Sequence, residues 1–380
     1  MDVPRRILLL VGSNAQGKTS LLEAVYYLAT FTSFHAQTDR QLINFLTEDQ
    51  PLAVTRLVAE YQRGEKQHRL EVRLILEREN GNGRLRKEIL LDGVRKAAND
   101  AMGSFLAVMF LPQMMRIVEG SPEERRRYLN LALCQAFSGY AQALSEYNQA
   151  LTQRNALLKQ LAERGGDSSQ LLYWDSLVAD RGAFLIHSRI QAIDELERVA
   201  ARIHLRLTQS REVLRLLYQP AYDPAPEPDG QYKLKFETKV DRKSLRLDQI
   251  RQGFAKKLEF LRSEEIARGM TTIGPHRDEL RFFGDMLDLG YYGSRGQVRT
   301  ALMALKLAEV EWLREKTGQW PVLLLDEILA ELDAQHRLDL QDALGECEQA
   351  IITTTDLNLF RPGFVQTGTI WQVEAGRVTC

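Results

Sequence analysis

The chain has little cysteine, no long apolar run and no excess of either charge. Its three cysteines, Cys134, Cys347 and Cys380, stand far apart in 380 residues. They form neither a disulfide framework nor a metal-ligand spacing, and they suit a reducing compartment. No run of about 18 apolar residues is present, which excludes a spanning helix. Met1-Asp2-Val3-Pro4 followed by a strand pattern is not a signal peptide. The expected setting is the cytoplasm, with no membrane partner. Lysine and arginine number 50 against 51 acids, so any nucleic-acid surface must be a local patch. The length has room for two domains, or for one large domain with an insertion.

What is present begins almost at once. Ile7 to Val11 is an apolar strand run, and Gly12-Ser13-Asn14-Ala15-Gln16-Gly17-Lys18-Thr19-Ser20 follows it. This is the form G-x-x-x-x-G-K-[ST], and a helical pattern (Leu21, Leu22, Ala24, Val25) comes directly after. Backbone N–H groups in such a loop, together with the helix N-terminus behind it, make a concave site for phosphate oxygens. Lys18 is placed to reach the β/γ-phosphates, and Thr19 to put its hydroxyl on Mg²⁺. The chain therefore reads as binding a nucleoside triphosphate with Mg²⁺.

From Leu52 to Lys96 the pattern alternates with period two, broken at Arg63-Gly64, Asn80-Gly81-Asn82-Gly83 and Asp92-Gly93. That predicts an antiparallel meander with one face buried and a solvated charged face. Phe105 to Leu111 predicts a further strand, followed by Pro112-Gln113. Ser121-Pro122-Glu123-Glu124 is a helix start, with Ser121 as N-cap and Glu124 closing a capping box. Arg125, Arg126 and Arg127 on its first turn either pair with acids such as Glu123 and Glu124 or contact DNA or a partner. The chain then reads helical to about Leu217. Tyr140, Leu144, Tyr147, Leu151, Leu158 and Leu161 make a heptad-like seam, and Gly165-Gly166-Asp167 is the turn of a helical hairpin. Gln231 to Arg262 carries ten lysines and arginines against four acids. It reads either as a phosphate-backbone surface, with Lys233, Lys235, Lys239, Arg242 and Lys243 foremost, or as a solvated helix face.

Val322-Leu323-Leu324-Leu325-Asp326-Glu327 is an apolar strand ending in two acids, the expected partner strand for the P-loop. Asp326 can hold the metal shell and Glu327 can polarise an attacking water. Upstream, Gly293-Ser294-Arg295-Gly296-Gln297 opens a helix from about Val298 to Lys316, a second anion site by the same backbone logic. Two such sites fit a dimer in which the second closes over the partner's γ-phosphate. Glu331-Leu332-Asp333 follows the acid pair, and Ala350 to Asp356 is another strand with a polar end.

In that order these motifs resemble the ABC-type ATPases of the SMC class. Within it the chain resembles the RecF family. The similarity is carried by Ser13 to Ala24, by Gly120-Ser121-Pro122 with the arginine triplet, by Thr272-Ile273-Gly274-Pro275-His276-Arg277-Asp278-Glu279-Leu280, and by Tyr292 to Thr300. The resemblance implies an α/β fold, an ABC-ATPase-like P-loop head of mixed sheet plus antiparallel meander, with an inserted α-helical second domain. The expected division is 1–120 and 271–380 for the head and 121–270 for the arm. It implies a DNA-binding recombination mediator that recognises duplex DNA at single-strand gaps and junctions. RecR, with RecO, and indirectly RecA would be partners in gap repair and the SOS response. Weak, DNA-stimulated ATP hydrolysis would run on an ATP-dependent head-to-tail homodimer. Carried over by position, Glu327 is the base, with Lys18 on the phosphates and Thr19 and Asp326 on the metal. Ser294, Gly296 and Gln297 act in trans, Gln113 is the Q-loop position, and Asp333 is the dimer loop. The switch position is Thr355 or Asp356. His276 reads as part of an internal polar network rather than as a catalyst. The resemblance implies one or two strands before the P-loop strand, where this chain has only Met1 to Arg6, so an upstream start is expected, the alternative being a copy compromised in base stacking and sheet-edge pairing. The alternatives are a non-hydrolysing DNA/RecR scaffold and another ABC-type ATPase.

Overall fold

The computed structural model describes residues 1–47, 50–79, 82–225 and 241–379. They form two compact units. The first comprises Met1–Met115, Arg202–Arg211 and Leu302–Cys380, and the second Arg116–Ala201 and Glu212–Ala301. Residues 271–301, grouped with the head by motif, fall in the second unit.

The first unit is built on six strands: β1 (Arg6–Val11), β6 (Ala107–Phe110), β10 (Val322–Asp326), β11 (Gln349–Thr354), β12 (Thr369–Glu374) and β13 (Arg377–Thr379), counting four meander strands as β2–β5 and three second-unit strands as β7–β9. Their order is β13-β12-β1-β11-β10-β6, parallel throughout except for β13. The apolar runs Leu8-Leu9-Leu10 and Leu323-Leu324-Leu325 are almost wholly buried, as central parallel strands covered on both faces require. One expectation is corrected. The strand of the acid pair does not pair with the P-loop strand, because β11 lies between them and bonds both. β1 is thus an interior strand, flanked by β11 and β12.

Helix α1 (Lys18–Thr30) serves two cores. Leu22, Tyr26 and Ala29 pack on the parallel sheet. Tyr27, Leu28 and Phe31 pack on the meander of β2 (Leu52–Arg63), β3 (Lys66–Glu79), β4 (Asn82–Leu91) and β5 (Val94–Lys96). The meander is antiparallel, as its alternation predicts. Leu70, Val72, Leu74 and Leu76 face the core.

The second unit holds α2 (Pro122–Ala136), α3 (Tyr140–Arg164), most of α4 (Leu171–Leu207) and α5 (Leu247–Arg268). Its small sheet is β7 (Leu214–Gln219), β8 (Glu279–Gly284) and β9 (Leu287–Asp288). Helix is not maintained to Leu217. Gln209 and Ser210 take φ of 53° and 62°, which stops the helix, and Leu214, Leu216 and Tyr218 then alternate inward in β7. The capping box at the start of α2 is present: Ser121 N–H donates to Glu124 Oε2 at 2.8 Å, and Glu124 N–H to Ser121 Oγ at 3.4 Å.

The seam of α3 buries Tyr140, Tyr147, Leu158 and Leu161. In the gap between Leu151 and Leu158 sits Arg154, fully buried. It donates to Asp175 at 2.7 Å and to Thr271 Oγ1 at 2.8 Å, and lies 2.6 Å from Glu265. Among the described residues no helix is long and apolar enough to cross a membrane.

Candidate functional site

In the first unit Lys18, Thr19, Asp326 and Glu327 meet at the C-terminal ends of the parallel strands, where open α/β sheets place their ligands. The P-loop leaves β1 under tight steric control. A Cβ at Gly12 would lie 2.3 Å from the carbonyl oxygen of Val373 in β12, so no side chain fits there. Gly17 takes φ 99° as the N-cap of α1, a conformation natural to glycine. Gln16 ties the loop to the β12–β13 turn: its carbonyl accepts from Gly376 N–H at 3.0 Å, and its Oε1 from Ala375 N–H at 2.6 Å. Ser13, Asn14, Ala15 and Ser20 are exposed.

Lys18 is buried and folded back over the loop. Its Nζ donates to the carbonyls of Gly12 at 2.7 Å and Ser13 at 3.0 Å, and lies 3.0 Å from Glu327 Oε1. Thr19 Oγ1 donates to Asp326, 2.9 and 3.1 Å from its two oxygens. Residues 307 positions apart in sequence thus present a hydroxyl and a carboxylate to one point. Hard oxygen donors of this kind, few in number, are what Mg²⁺ takes when phosphates and water complete its shell. Asp326 closes β10, and the next residue, Glu327, turns out of the strand at φ 50°. That turn lets both acids serve one site.

Thr353 was missed by motif reading. It lies beside Asp326 in the β10–β11 register and is fully buried. Its hydroxyl donates to Asp326 Oδ1 at 2.7 Å and accepts from Glu327 N–H at 3.0 Å. The only signal was a hydroxyl side chain where a buried parallel strand prefers Val or Ile. Of the two switch candidates, Thr355 and Asp356 are both exposed. Asp356 caps the following turn, accepting from Asn358 N–H at 2.8 Å. Gln113 is exposed in the turn after β6. Asp333 caps α7 (Ala334–Glu346), accepting from His336 N–H at 3.0 Å.

In the second unit Ser294 precedes α6 (Arg295–Thr317). Ser294 Oγ accepts from Gln297 N–H at 3.2 Å, and Gln297 Oε1 accepts from Ser294 N–H at 3.0 Å. Gln297 also donates to Glu212 at 3.1 Å. Ser294 and Gly296 are exposed, and nothing crowds the Cβ direction of Gly296.

The Gly-Pro-His-Arg-Asp element is an internal polar network. Asp278 accepts from Arg189 at 2.6 Å, from the Tyr218 hydroxyl, and from Ala221 N–H at 2.9 Å. His276 Nδ1 lies 2.7 Å from the Tyr147 hydroxyl. Burial, aided by the neighbouring Arg277, lowers its pKa to about 4, so the ring is neutral at pH 7. Arg125 is also structural: it is buried, doubly bonded to Glu279 at 2.7 Å, and donates to the Gly120 carbonyl at 2.7 Å. Arg126 donates to the Asp278 carbonyl at 2.9 Å.

Of the basic segment, Lys233, Lys235 and Lys239 lie outside the described residues. Arg242 donates to Asp223 at 2.8 Å, and Lys243 lies 2.5 Å from Asp194.

The chain matches the family model for the RecF/RecN/SMC N-terminal domain over residues 1–377. It is 37% identical to the DNA replication and repair protein RecF of Herpetosiphon aurantiacus, covering all of this chain and 94% of that one. The RecF of Roseiflexus castenholzii is 36% identical, with 98% of this chain and 93% of the other covered. The solved structure of the recombination mediator protein RecF-ATP in the RecFOR pathway is similar throughout. It gives a TM-score of 0.80 at 27% identity, over 100% of this chain and 92% of that one. Matched by the family model over nearly its whole length and 37% identical to a relative covered almost end to end, the chain belongs to the RecF family.

Proposed function

We propose that this protein acts in DNA repair as an ATP-dependent, DNA-binding recombination mediator. The observation that carries the reading is the meeting of Lys18, Thr19, Asp326 and Glu327 at one end of a parallel sheet. Gly12 to Ser20 would wrap the phosphates, and Lys18 would exchange its carbonyl partners for β/γ-oxygens. Thr19 and Asp326 would hold Mg²⁺, which when bound neutralises phosphate charge. Glu327 would accept a proton from the attacking water, and Gln113 would stand at its approach.

Ser294, Gly296 and Gln297 of a second copy would close over the γ-phosphate, with Asp333 at the contact, so ATP would join two copies head to tail. The functional division would be a head of 1–120 and 271–380 with an arm of 121–270, a grouping by motif that differs from the two compact units. The preferred substrate is duplex DNA at a single-strand gap or junction, where the protein works with RecR and RecO toward loading RecA in gap repair and the SOS response. Lys233, Lys235, Lys239, Arg242 and Lys243 would contact backbone phosphate. Hydrolysis would be slow and would serve release.

The test is a Lys18→Met variant, measured for nucleotide binding and for retention on gapped duplex DNA with ATP. We expect nucleotide binding to weaken by ten-fold or more, since a charged partner of the phosphates is removed, and ATP-dependent retention to vanish. DNA retention equal to that of the parent would favour a scaffold that does not use ATP.

A further inference from the structure

We propose that Thr353 is a positioning residue for ATP hydrolysis, one hydroxyl that sets both acids of the site. The inference rests on the ATPase reading above and adds a residue outside its motifs.

Thr353 lies in the six-stranded sheet, where β11 runs between the P-loop strand and the strand of the acid pair. Its side chain has no exposure to solvent. A hydroxyl there must find partners or be costly to bury, and valine would fill the same volume with no such demand. The hydroxyl uses both of its capacities on the site. It donates at 2.7 Å to Asp326 Oδ1 and accepts at 3.0 Å from the N–H of Glu327. Parallel register places Thr353 abreast of Asp326, so the first bond needs no reach. The second holds the backbone of Glu327 where it leaves the strand in a left-handed conformation, φ 50° and ψ 17°, which a residue with a Cβ adopts only when its surroundings impose it.

The two bonds have different uses in the cycle. Asp326 accepts from both Thr19 and Thr353. Thr19 is the residue that would turn to the metal, and Thr353 would then be the remaining side-chain donor to the carboxylate among the described residues. Glu327 is likewise held from two sides, by Lys18 at its carboxylate and by Thr353 at its N–H. Once phosphate draws Lys18 away, the Thr353 bond is what keeps Glu327 aimed at the site. Asp326 is therefore oriented for the metal and Glu327 for the water by a single hydroxyl bonded to both acids.

Thr353→Val and Thr353→Ser test this. In the valine variant kcat should fall about 10- to 100-fold, the usual cost of removing a group that orients a ligand, with KM for ATP little changed. The Mg²⁺ concentration that half-saturates nucleotide binding should rise by a similar factor, while binding without Mg²⁺ stays at the parental level. Serine keeps the hydroxyl and should recover most of both losses. Parental hydrolysis and Mg²⁺ response in the valine variant would overturn the proposal. So would a serine variant as impaired as valine, which would assign the effect to packing of the methyl group. A parent that binds no ATP would instead bring down the ATPase reading itself.

Discussion

A Glu327→Gln variant should hydrolyse ATP about 10²- to 10⁴-fold more slowly than the parent and should bind it at least as well. The amide keeps the shape of the side chain and removes the basic oxygen, and loss of a positioned general base costs that range of rate. Binding is preserved, or gains, because Glu327 lies 3.0 Å from Lys18 and competes with phosphate for the same ammonium group. The variant should therefore accumulate as an ATP-joined dimer on DNA. Single-turnover hydrolysis and sizing with and without ATP check both parts. Unchanged hydrolysis would remove Glu327 from the chemistry and leave the base unassigned.

The second large effect is on stability and lies far from the nucleotide in sequence. Arg154→Met removes the cation that faces Asp175 and Glu265 in the helical unit, all three buried. Asp175 retains Arg262 at 3.0 Å, and Glu265 retains Thr272 N–H at 2.6 Å, but two carboxylates then share one interior with less charge to balance them. Breaking a buried pair in this manner costs about 3–5 kcal/mol, a large part of the 5–15 kcal/mol typical of a folded domain. Denaturant titration of the full chain should show the loss. Replacing Arg154, Asp175 and Glu265 together by apolar residues of similar volume should recover much of it. A single Arg154→Met variant as stable as the parent would contradict this assignment.

Sequence made some parts of this molecule plain and hid others, and the reasons are physical. Gly12 to Ser20 was readable because a phosphate loop needs a fixed spacing of glycine, lysine and hydroxyl in one local stretch. The capping box at Ser121 and Glu124 and the meander of β2 to β5 were readable for the same reason: each is a local pattern. Strand β7 was not, since the helix before it stops at Gln209 and Ser210 in left-handed backbone without a glycine to mark it. Arg154 was hidden at the empty position of an apolar seam, where nothing local shows that a charge is wanted. Thr353 reads as an ordinary strand residue until the register sets it beside Asp326. The order of the sheet was also beyond reach. The two strands that carry the site are separated by a third, and no spacing along the chain records that.

The central claim is that one copy holds the phosphates and a second completes the site, and it is tested most directly by mixing two inactive variants. Lys18→Met disables the P-loop and keeps the signature, while Ser294→Arg blocks the signature and keeps the P-loop. Each alone should hydrolyse ATP at background rate. Mixed, they can form one intact site per heterodimer, so activity should return and should rise with total protein concentration and with duplex DNA. A mixture as inactive as its components, or a parent whose rate per molecule is the same at every concentration, would mean that the site is complete within one chain.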